Sequence, residues 1–407
     1  MSISENIKIA QVILESKYHQ LQVINELSCA FQSVYSNEEV FALYLQCLRS
    51  VLKVNRVYII YQNEGWENIY SYNVIGNIPI SLLVQRYFST TQPELIQLNS
   101  PFLSQFDVVV PIIKSNAPLA YVFIGGIQQY NYESFSELVE FLQSLTNIAL
   151  TFVENNFLYK RQMDKDLMVK DLGIAAEVQT MLIAKNLPNN QYIEIDAYYQ
   201  PIQMIGGDYY DYIKLNDNEF AFCIADIAGK GIAAALLMAN FQSTLRILIK
   251  QNIPPDKFIA ILNNHVFDNT EGERYLTLFV AKYDIPNRRL IYINAGHIPP
   301  ILFQNKQFEF LQTGTTMLGA FEKLPHFQLG ELTLAPNAQL FCYTDGLSEM
   351  GSDNEETFKS SQLLEMMREY NTDSCRQFNS RIVAKFKCFK GNRHAQDDIC
   401  FMNLRFK

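Results

Sequence analysis

The sequence predicts an α+β protein built from more than one domain. Three observations support this prediction. The chain has 407 residues, enough for roughly two or three domains, and 48% of them are hydrophobic, which supplies apolar side chains for separate cores. Helical and strand-like patterns also occur in blocks: two helices, a group of short strands, a long helix, and then a half in which strands predominate.

Composition and charge argue against several classes of protein. A net charge of -9 disfavours nucleic acid or an anionic membrane as the main partner, since both are bound through clustered Lys and Arg. The longest apolar run, "IAAALLMA", is far shorter than the roughly 18 residues of a membrane span, and the start "MSISENIKIAQ" lacks the features of a signal peptide. Seven cysteines without CxxC pairs indicate reduced thiols. We therefore expect a cytoplasmic protein.

The first 159 residues are predicted to form one α+β unit. Apolar residues recur at helical spacing from Glu5 to Leu52, and the strand-like runs "RVYIIYQ", "NIYSYNVI", "FDVVVPIIK" and "LAYVFIGGIQ" follow. This order, with "VVVPIIKSNAPLAYVFIGG" and the exit helix "ALTFVENNFLYK", resembles a GAF sensory domain over Leu21 to Tyr159. The resemblance implies an antiparallel sheet with helices, which binds either a small molecule or no ligand.

Residues 160–190 are predicted to form a helical linker. Five positions, spaced 4, 3, 3 and 4 apart, form a seam suited to packing against another helix: Met168, Leu172, Ala175, Val178 and Leu182. The seam fits either a coiled-coil homodimer or a helix packed on its own domain. Pro188 is expected to end the helix. Its place between two domains makes it the natural transmitter of a signal.

The stretch "GGDYYDYIKLNDNEFAFCIAD", which begins at Gly206, predicts a β-hairpin with an aspartate at each open end. Its turn centres near Asp217, so pairing across the turn places Asp208 opposite Asp226. Directly opposed side chains have Cβ atoms about 4.5–5.5 Å apart, and like charges there repel each other. A divalent cation between the carboxylates converts this repulsion into coordination.

Other aspartates also end apolar runs, namely Asp345 in "LFCYTDG" and the pair Asp397 and Asp398 in "QDDICFMNL". Each of these residues alone is an ordinary turn or strand-end cap. Taken together with the hairpin pair they predict a metal site. Oxygen ligands without nearby His or Cys favour Mg²⁺ or Mn²⁺ over zinc.

The "DIAGKG" corner adds a feature suited to an anion. Gly229 and Gly231 allow a sharp turn, and the helix that follows presents free N–H groups at its positive end. Lys230 lies between them and is suited to contact a phosphoryl group, although an exposed lysine is more often a solvated charge. For His297 in "NAGHIPP", a structural role is favoured over a direct catalytic one, since the neighbouring prolines indicate a rigid turn.

Six motifs in order resemble those of PPM-type (PP2C-like) serine/threonine phosphatases, and more narrowly their bacterial SpoIIE/RsbU branch, over Leu167 to Lys407. The motifs are "IGGDYYDY", "CIADIAGKGIAAALLMA", "YINAGHIPPIL", "MLGAFE", "CYTDGLSEM" and "QDDICFM". The resemblance implies an α/β/β/α sandwich of two antiparallel sheets in residues 191–407, with two Mn²⁺ or Mg²⁺ ions at one edge. Ala228 departs from the many eukaryotic members that have a histidine at this position, able to act as a general acid.

The resemblance also implies roles for individual residues. Asp208 and Asp226 are implied as the catalytic pair that binds both metals, with the Ile227 carbonyl completing one ion and Asp345 and Asp397 holding the other. Asp398 is implied to lie behind the ligands. Apart from the resemblance, the residues of the "GKG" corner are candidates for phosphate binding: Gly229, Lys230 and Gly231.

The function implied is a regulated, metal-dependent protein serine/threonine phosphatase of a bacterial signalling pathway. Its substrate would be a phosphorylated STAS-domain protein, an anti-sigma-factor antagonist. Two alternatives remain open at this stage. One is a catalytically inactive PPM-fold sensor or scaffold that binds a signalling partner, and the other is a protein that only binds a small molecule.

Overall fold

A computed structural model describes residues 3–31, 36–63, 65–96, 102–127, 135–251, 253–348, 360–390 and 397–407. The chain divides into two compact units, Met1–Asp166 and Leu167–Lys407. The helix Phe135–Leu182 contributes residues to both units.

The N-terminal unit contains a five-stranded antiparallel sheet with helices on both faces. Its strand order is β2-β1-β5-β4-β3. Helices α1, α2 and the start of α4 bury apolar side chains on one face, and α3 covers the other. The elements are α1 (Ile3–Phe31), α2 (Asn37–Leu52), β1 (Arg56–Gln62), β2 (Trp66–Tyr72), α3 (Ile80–Tyr87), β3 (Glu94–Leu95), β4 (Val108–Lys114), β5 (Ala117–Gly125) and the first part of α4 (Phe135–Leu182).

Local sequence signals explain most of this unit. Helix α2 begins with a capping box in which the Glu39 backbone N–H donates to the Ser36 hydroxyl and the Ser36 N–H donates to the Glu39 carboxylate, both at 3.2 Å. The short helix α3 was not predicted, because eight residues carry too little periodicity to be recognised. The assignment of this unit to the GAF family stays a prediction.

Helix α4 ends at Leu182, so the prediction that Pro188 ends it was wrong. The physical reason is burial. Ile183 is only 7% exposed and lies in the core of the C-terminal unit, where Ala184 and Leu187 pack around it. The chain therefore turns into the domain before the proline is reached.

The predicted seam of α4 does not form one buried stripe. Leu172 and Leu182 are half-buried, whereas Met168 and Val178 are 58% and 54% exposed. Gln179, at 6% exposed, is the deeply buried residue of this part of the helix. The last turns of α4 therefore pack on the rest of the C-terminal unit through a face other than the predicted seam. Apolar side chains of the seam remain exposed to solvent.

The C-terminal unit is the predicted sandwich of two sheets between helices. One sheet has the order β13-β10-β9-β8-β7 with β14 paired to β10, and the other has the order β12-β11-β15-β16-β6. The elements are β6 (Ile193–Gln200), β7 (Tyr209–Lys214), β8 (Glu219–Ile227), α5 (Gly231–Leu248), α6 (Pro255–Thr270), β9 (Leu276–Asp284), β10 (Arg289–Ala295), β11 (Ile301–Gln304), β12 (Gln307–Phe310), β13 (Gly314–Thr315), β14 (Gly330–Thr333), β15 (Ala338–Tyr343), α7 (Asp345–Ser348), α8 (Ser360–Glu369), α9 (Cys375–Lys390) and β16 (Ile399–Phe406).

Three apolar layers hold this sandwich together. The inner layer lies between the two sheets and is rich in aromatic residues. Helices α5 and α6 cover the outer face of the first sheet, and α8 and α9 cover that of the second. Pairing is antiparallel except at the two-residue strand β13. The prediction of an α/β/β/α sandwich is therefore confirmed.

Among the described helices, α5 is long and apolar enough to cross a membrane by length and composition alone. Its apolar side chains are used differently in this fold. Leu237, Met238, Phe241 and Leu245 are buried in the layer between α5, α6 and the first sheet. The composition of α5 is thus that of a core helix.

Candidate metal centre

The site begins at the open end of the β7–β8 hairpin. The register pairs Tyr209 with Ala225 and Lys214 with Phe220. One residue further out, Asp208 stands opposite Asp226, which confirms the pairing predicted from the sequence. Asp208 is 2% exposed and Asp226 is half-buried, so two acidic groups face each other where little water reaches them.

The second sheet brings two further aspartates to the site. Strands β15 and β16 pair with Tyr343 opposite Phe401, so Asp345 just after β15 and Asp397 just before β16 lie at the same end of the sheet. Close backbone packing holds together the two segments that carry Asp345 and Asp397. A Cβ added at Gly346 would stand 1.8 Å from the Asp398 carbonyl oxygen, so only glycine lets the two segments approach.

The electrostatics show that these carboxyl groups act on one another. Burial, together with the charges of Asp345, Asp397 and Asp398, raises the pKa of Asp226 to about 7, and a hydrogen bond with Asp208 limits the rise. Burial, followed by the charge of Asp226, raises the pKa of Asp208 well above its usual range. Carboxyl groups this perturbed are typical of functional sites, since a fold pays free energy to gather them.

A cation already lies among the acids. The Lys230 Nζ is 2.9 Å from Asp397 Oδ2, with the two side chains 47% and 37% exposed. Gly229 and Gly231 on either side of Lys230 have φ of +110° and +67°, the left-handed conformation that glycine adopts without strain. Helix α5 begins at Gly231, so its free N–H groups point out of the same corner.

Asp398 organises the backbone behind the acids. Its Oδ1 accepts a hydrogen bond from the Ile202 N–H at 2.8 Å, and its Oδ2 accepts one from the Gly207 N–H at 2.7 Å. These bonds hold both ends of the loop that leads into Asp208. Burial raises the pKa of Asp398, and the two N–H donors oppose that rise.

Thr344 is a site residue that the sequence interpretation missed. It is 1% exposed, and its hydroxyl donates to Asp208 Oδ2 at 2.7 Å and accepts from the Cys400 N–H at 3.1 Å. Its position directly before Asp345 in "CYTDG" was the available signal. Thr344 thus ties a carboxylate of the first sheet to a strand of the second.

His297 lies in the segment between β10 of the first sheet and β11 of the second, and it is 4% exposed. Its Nδ1 is 2.8 Å from the Thr277 hydroxyl, and Thr277 is the cross-strand partner of Asp226. Its backbone N–H donates to Asn294 Oδ1 at 2.8 Å. Burial lowers the pKa of His297 to about 4, so the ring is neutral at pH 7.

The residues present fit a hard divalent cation. The candidate donors are carboxylate oxygens from four separate segments, and an ammonium group already compensates part of their charge. Among the described residues, no three acidic, His or Cys side chains stand as close together as in a formed metal site. The acidic side chains are therefore close enough to influence one another's pKa, but they do not converge on one point. Repulsion between like charges explains this separation.

The C-terminal unit is similar to a known protein family and to a solved structure. A family model described as Stage II sporulation protein E (SpoIIE) matches residues 216–407. These residues form a SpoIIE-family domain. The solved SiaA-PP2C domain of Pseudomonas aeruginosa aligns with a TM-score of 0.54 at 18% identity, covering 60% of this chain and 99% of that one, and shows that the fold is PP2C-like.

Two curated relatives match part of this chain. The phosphoserine phosphatase RsbP of Bacillus subtilis strain 168 is 28% identical over 244 residues, 58% of this chain and 58% of RsbP. The phosphoserine phosphatase RsbU of the same organism is 28% identical over 186 residues, 45% of this chain and 55% of RsbU. The chain thus spans little more than half the length of either relative.

The buried imidazole predicts a specific pH dependence of stability. The pKa of His297 is about 4 in the folded state and 6.5 in its ordinary state, so the unfolded chain binds the proton more tightly and stability falls as pH drops from 6.5 towards 4. Between pH 7 and pH 5, wild type should lose about 2 kcal/mol more than His297→Asn. The difference in the free energy of unfolding between wild type and variant is measured by urea unfolding, with hydrogen exchange of the β10 amides as the probe.

The exposed His326 supplies the control for this experiment. His326→Asn should follow the wild-type pH curve. Parallel pH curves for wild type and His297→Asn would show that the buried ring does not titrate as described.

Proposed function

We propose that this chain is a metal-dependent protein serine/threonine phosphatase that hydrolyses phosphomonoesters. The observation that carries the proposal is the pair Asp208 and Asp226, held carboxyl to carboxyl at one end of the sandwich within electrostatic reach of Asp345 and Asp397. A scaffold without catalysis gains nothing from this repulsion. The names of the relatives RsbP and RsbU, both phosphoserine phosphatases, also support it.

In this proposal two Mn²⁺ or Mg²⁺ ions are held by the gathered oxygens. Asp208 and Asp226 would hold both ions, the Ile227 carbonyl one of them, and Asp345 and Asp397 the other. Bound divalent ions supply Lewis-acid activation of water and neutralise the charge of a phosphoryl group.

The remaining residues of the site orient these groups and the substrate. Thr344 fixes the rotamer of Asp208 through its 2.7 Å hydrogen bond. The Gly229–Gly231 turn and the first N–H groups of α5 would bind the phosphoryl group, with Lys230, which is ion-paired to Asp397, beside them. Ala228 offers no proton donor, so the proton for the leaving oxygen comes from water and not from that side chain.

Replacing Asp226 tests the catalytic proposal. Asp226→Asn keeps the shape of the side chain but removes a charge, and we expect Mn²⁺-dependent hydrolysis of p-nitrophenyl phosphate by the full chain to fall by about 100-fold or more. Asp217→Asn is the matched control, because Asp217 lies at the turn of the same hairpin with a 93% exposed side chain paired only to Lys214. This control should retain wild-type turnover, and EDTA should abolish that turnover.

Two other outcomes would contradict this proposal. Wild-type turnover in Asp226→Asn would contradict the metal assignment. A folded wild-type chain that binds Mn²⁺ but releases no phosphate from any phosphoester would instead favour the inactive sensor or scaffold.

We also propose that the substrate is a phosphorylated protein of the STAS-domain class. Beside the acids, Ile232 and Leu236 at the start of α5 are 49% and 67% exposed, and Ile202 in the adjoining loop is 36% exposed. The loop and helix adjoin, since a Cβ added at Gly231 would stand 2.8 Å from Gln203 Oε1. An apolar rim of this kind fits a folded protein partner better than a small phosphoester.

This rim gives the substrate proposal its test. Leu236→Glu should lower kcat/KM towards a phosphorylated STAS-domain protein by about tenfold or more and leave hydrolysis of p-nitrophenyl phosphate unchanged. Ile247→Glu is the control, since Ile247 is 59% exposed on the same helix, about 16 Å further along. Equal losses on both substrates, or equal effects of both variants, would argue against docking at this rim.

Regulation is proposed to pass through α4. We assign the N-terminal unit a sensory role with a small-molecule ligand, and the chain a cytoplasmic location with neither nucleic acid nor membrane as partner. The exposed apolar residues Leu167, Ile174, Val178 and Met181 are spaced 7, 4 and 3 apart, the pattern of a coiled-coil seam. This stripe is the proposed surface of a homodimer, with the opposite face of α4 packed on its own unit.

The dimer has a direct test. Val178→Glu places a charge in the stripe and should convert a dimer to a monomer in sedimentation velocity experiments at micromolar concentration. Thr180→Glu adds the same charge two residues away on an exposed position outside the stripe and should leave the dimer intact. A wild-type chain that sediments as a monomer at all concentrations would overturn this proposal.

A further inference from the structure

The segment just before β9 is fixed beside the exit of β8. The two strands pair as far as Ile227, and the Ala228 N–H then donates to the Tyr275 carbonyl at 2.9 Å. One residue earlier, the Arg274 carbonyl accepts a hydrogen bond at 3.0 Å from the hydroxyl of Thr270, the last residue of α6. The Arg274 side chain therefore leaves the backbone at a point that the fold sets.

The Arg274 side chain lies over the turn that follows Asp226. Its Nη1 donates to the Ala228 carbonyl at 3.4 Å, and a Cβ added at Gly229 would stand 2.4 Å from the same Nη1. Glycine at position 229 thus leaves the space that the guanidinium occupies. The positive charge is placed one peptide unit along from the Ile227 carbonyl, a proposed metal ligand.

The charge of this guanidinium is not neutralised by a carboxylate. Among the described residues Arg274 forms no ion pair, and a carbonyl at 3.4 Å is a distant acceptor for a group with five N–H donors. Three other arginines each place Nε 2.6 Å from a carboxylate oxygen: Arg246, Arg289 and Arg381. Arg274 is also exposed, so its donors are available to an anion from solution.

Building on the proposed function, we infer that Arg274 is a substrate-binding residue that holds the non-bridging oxygens of the phosphoryl group at the mouth of the metal centre. A planar guanidinium offers two parallel N–H groups to two phosphate oxygens, which an ammonium group does not. The methyl group of Ala228 cannot bind a phosphoryl group. The arginine before β9 thus supplies the cationic side chain that this turn lacks.

The test measures the binding of phosphate separately from the binding of metal. Arg274→Met in the full chain keeps an aliphatic side chain and removes the charge. The KM for p-nitrophenyl phosphate and the inhibition constant of inorganic phosphate, both at saturating Mn²⁺, should each rise about tenfold. The Kd for Mn²⁺, measured by calorimetry, should change less than about twofold, because Arg274 does not hold a proposed metal ligand.

Two further variants complete the experiment. Arg274→Lys keeps the charge without the planar fork and should recover part of the loss. Arg289→Met is the matched control, since Arg289 is an exposed arginine of the same sheet, paired with Glu331 at the end of the strands opposite to Asp226. It removes the same charge from the chain and should leave all three constants at their wild-type values.

The outcomes separate this inference from the proposed function. An active wild-type chain with unchanged phosphate inhibition in both Arg274 variants overturns the inference alone. So does a loss on a phosphoprotein without any change in phosphate inhibition, since Arg274 would then contact another part of the partner. A Kd for Mn²⁺ that rises as much as the KM would assign Arg274 a purely structural role.

A wild-type chain without turnover would overturn the proposed function instead. Equilibrium dialysis of radiolabelled phosphate against the chain in saturating Mn²⁺ then tests Arg274 independently of catalysis. Weaker phosphate binding by Arg274→Met than by wild type and Arg289→Met would support the inference, and equal binding by all three would contradict it.

Discussion

The close approach of two acidic side chains, one buried and one half-buried, is the constraint on which this C-terminal unit depends. Asp208 and Asp226 face each other because the hairpin register leaves no alternative, and a one-residue slip would move every apolar side chain of β7 and β8 to the wrong face. The inner layer of aromatic residues thus enforces an arrangement that the charges oppose. Thr344 and Lys230 each offset part of that opposition, Thr344 through a hydrogen bond to Asp208 and Lys230 through an ion pair with Asp397.

The surrounding scaffold is stiffened by a second buried charge. Asp211, fully buried on β7, accepts two hydrogen bonds from Arg246 on α5, at 2.6 and 2.8 Å, and a third from the Tyr209 hydroxyl at 2.5 Å. Removing Arg246 would leave the Asp211 carboxylate buried without its charged partner, which is strongly destabilising. Because β7 follows Asp208 and α5 follows Asp226, this pair links the elements that leave the two central acids.

The sequence was sufficient for features that depend on local periodicity. Counting residues about Asp217 was enough to pair Asp208 with Asp226, and the apolar runs before Asp345 and after Asp397 located the other acids. The alternation of strands and helices, with the motif resemblance, predicted the sandwich. By contrast, Thr344 and Gln179 meet partners 136 and 27 residues away, and such pairings have no periodic signature. The end of α4 was misplaced because burial of Ile183 outweighed the proline signal.

The strand order of the second sheet has a consequence for how the protein is made. β16 lies between β15 and β6, and its register joins Ile193 to Phe406, residues more than 200 positions apart. During synthesis, therefore, β6 is made long before β16, and until then its backbone N–H and C=O groups are unpaired and can pair with other chains. Contacts this distant in sequence form slowly. The nascent chain can form its helices and first sheet early. The second sheet is completed only when β16, the last of its strands to be synthesised, pairs with both β15 and β6.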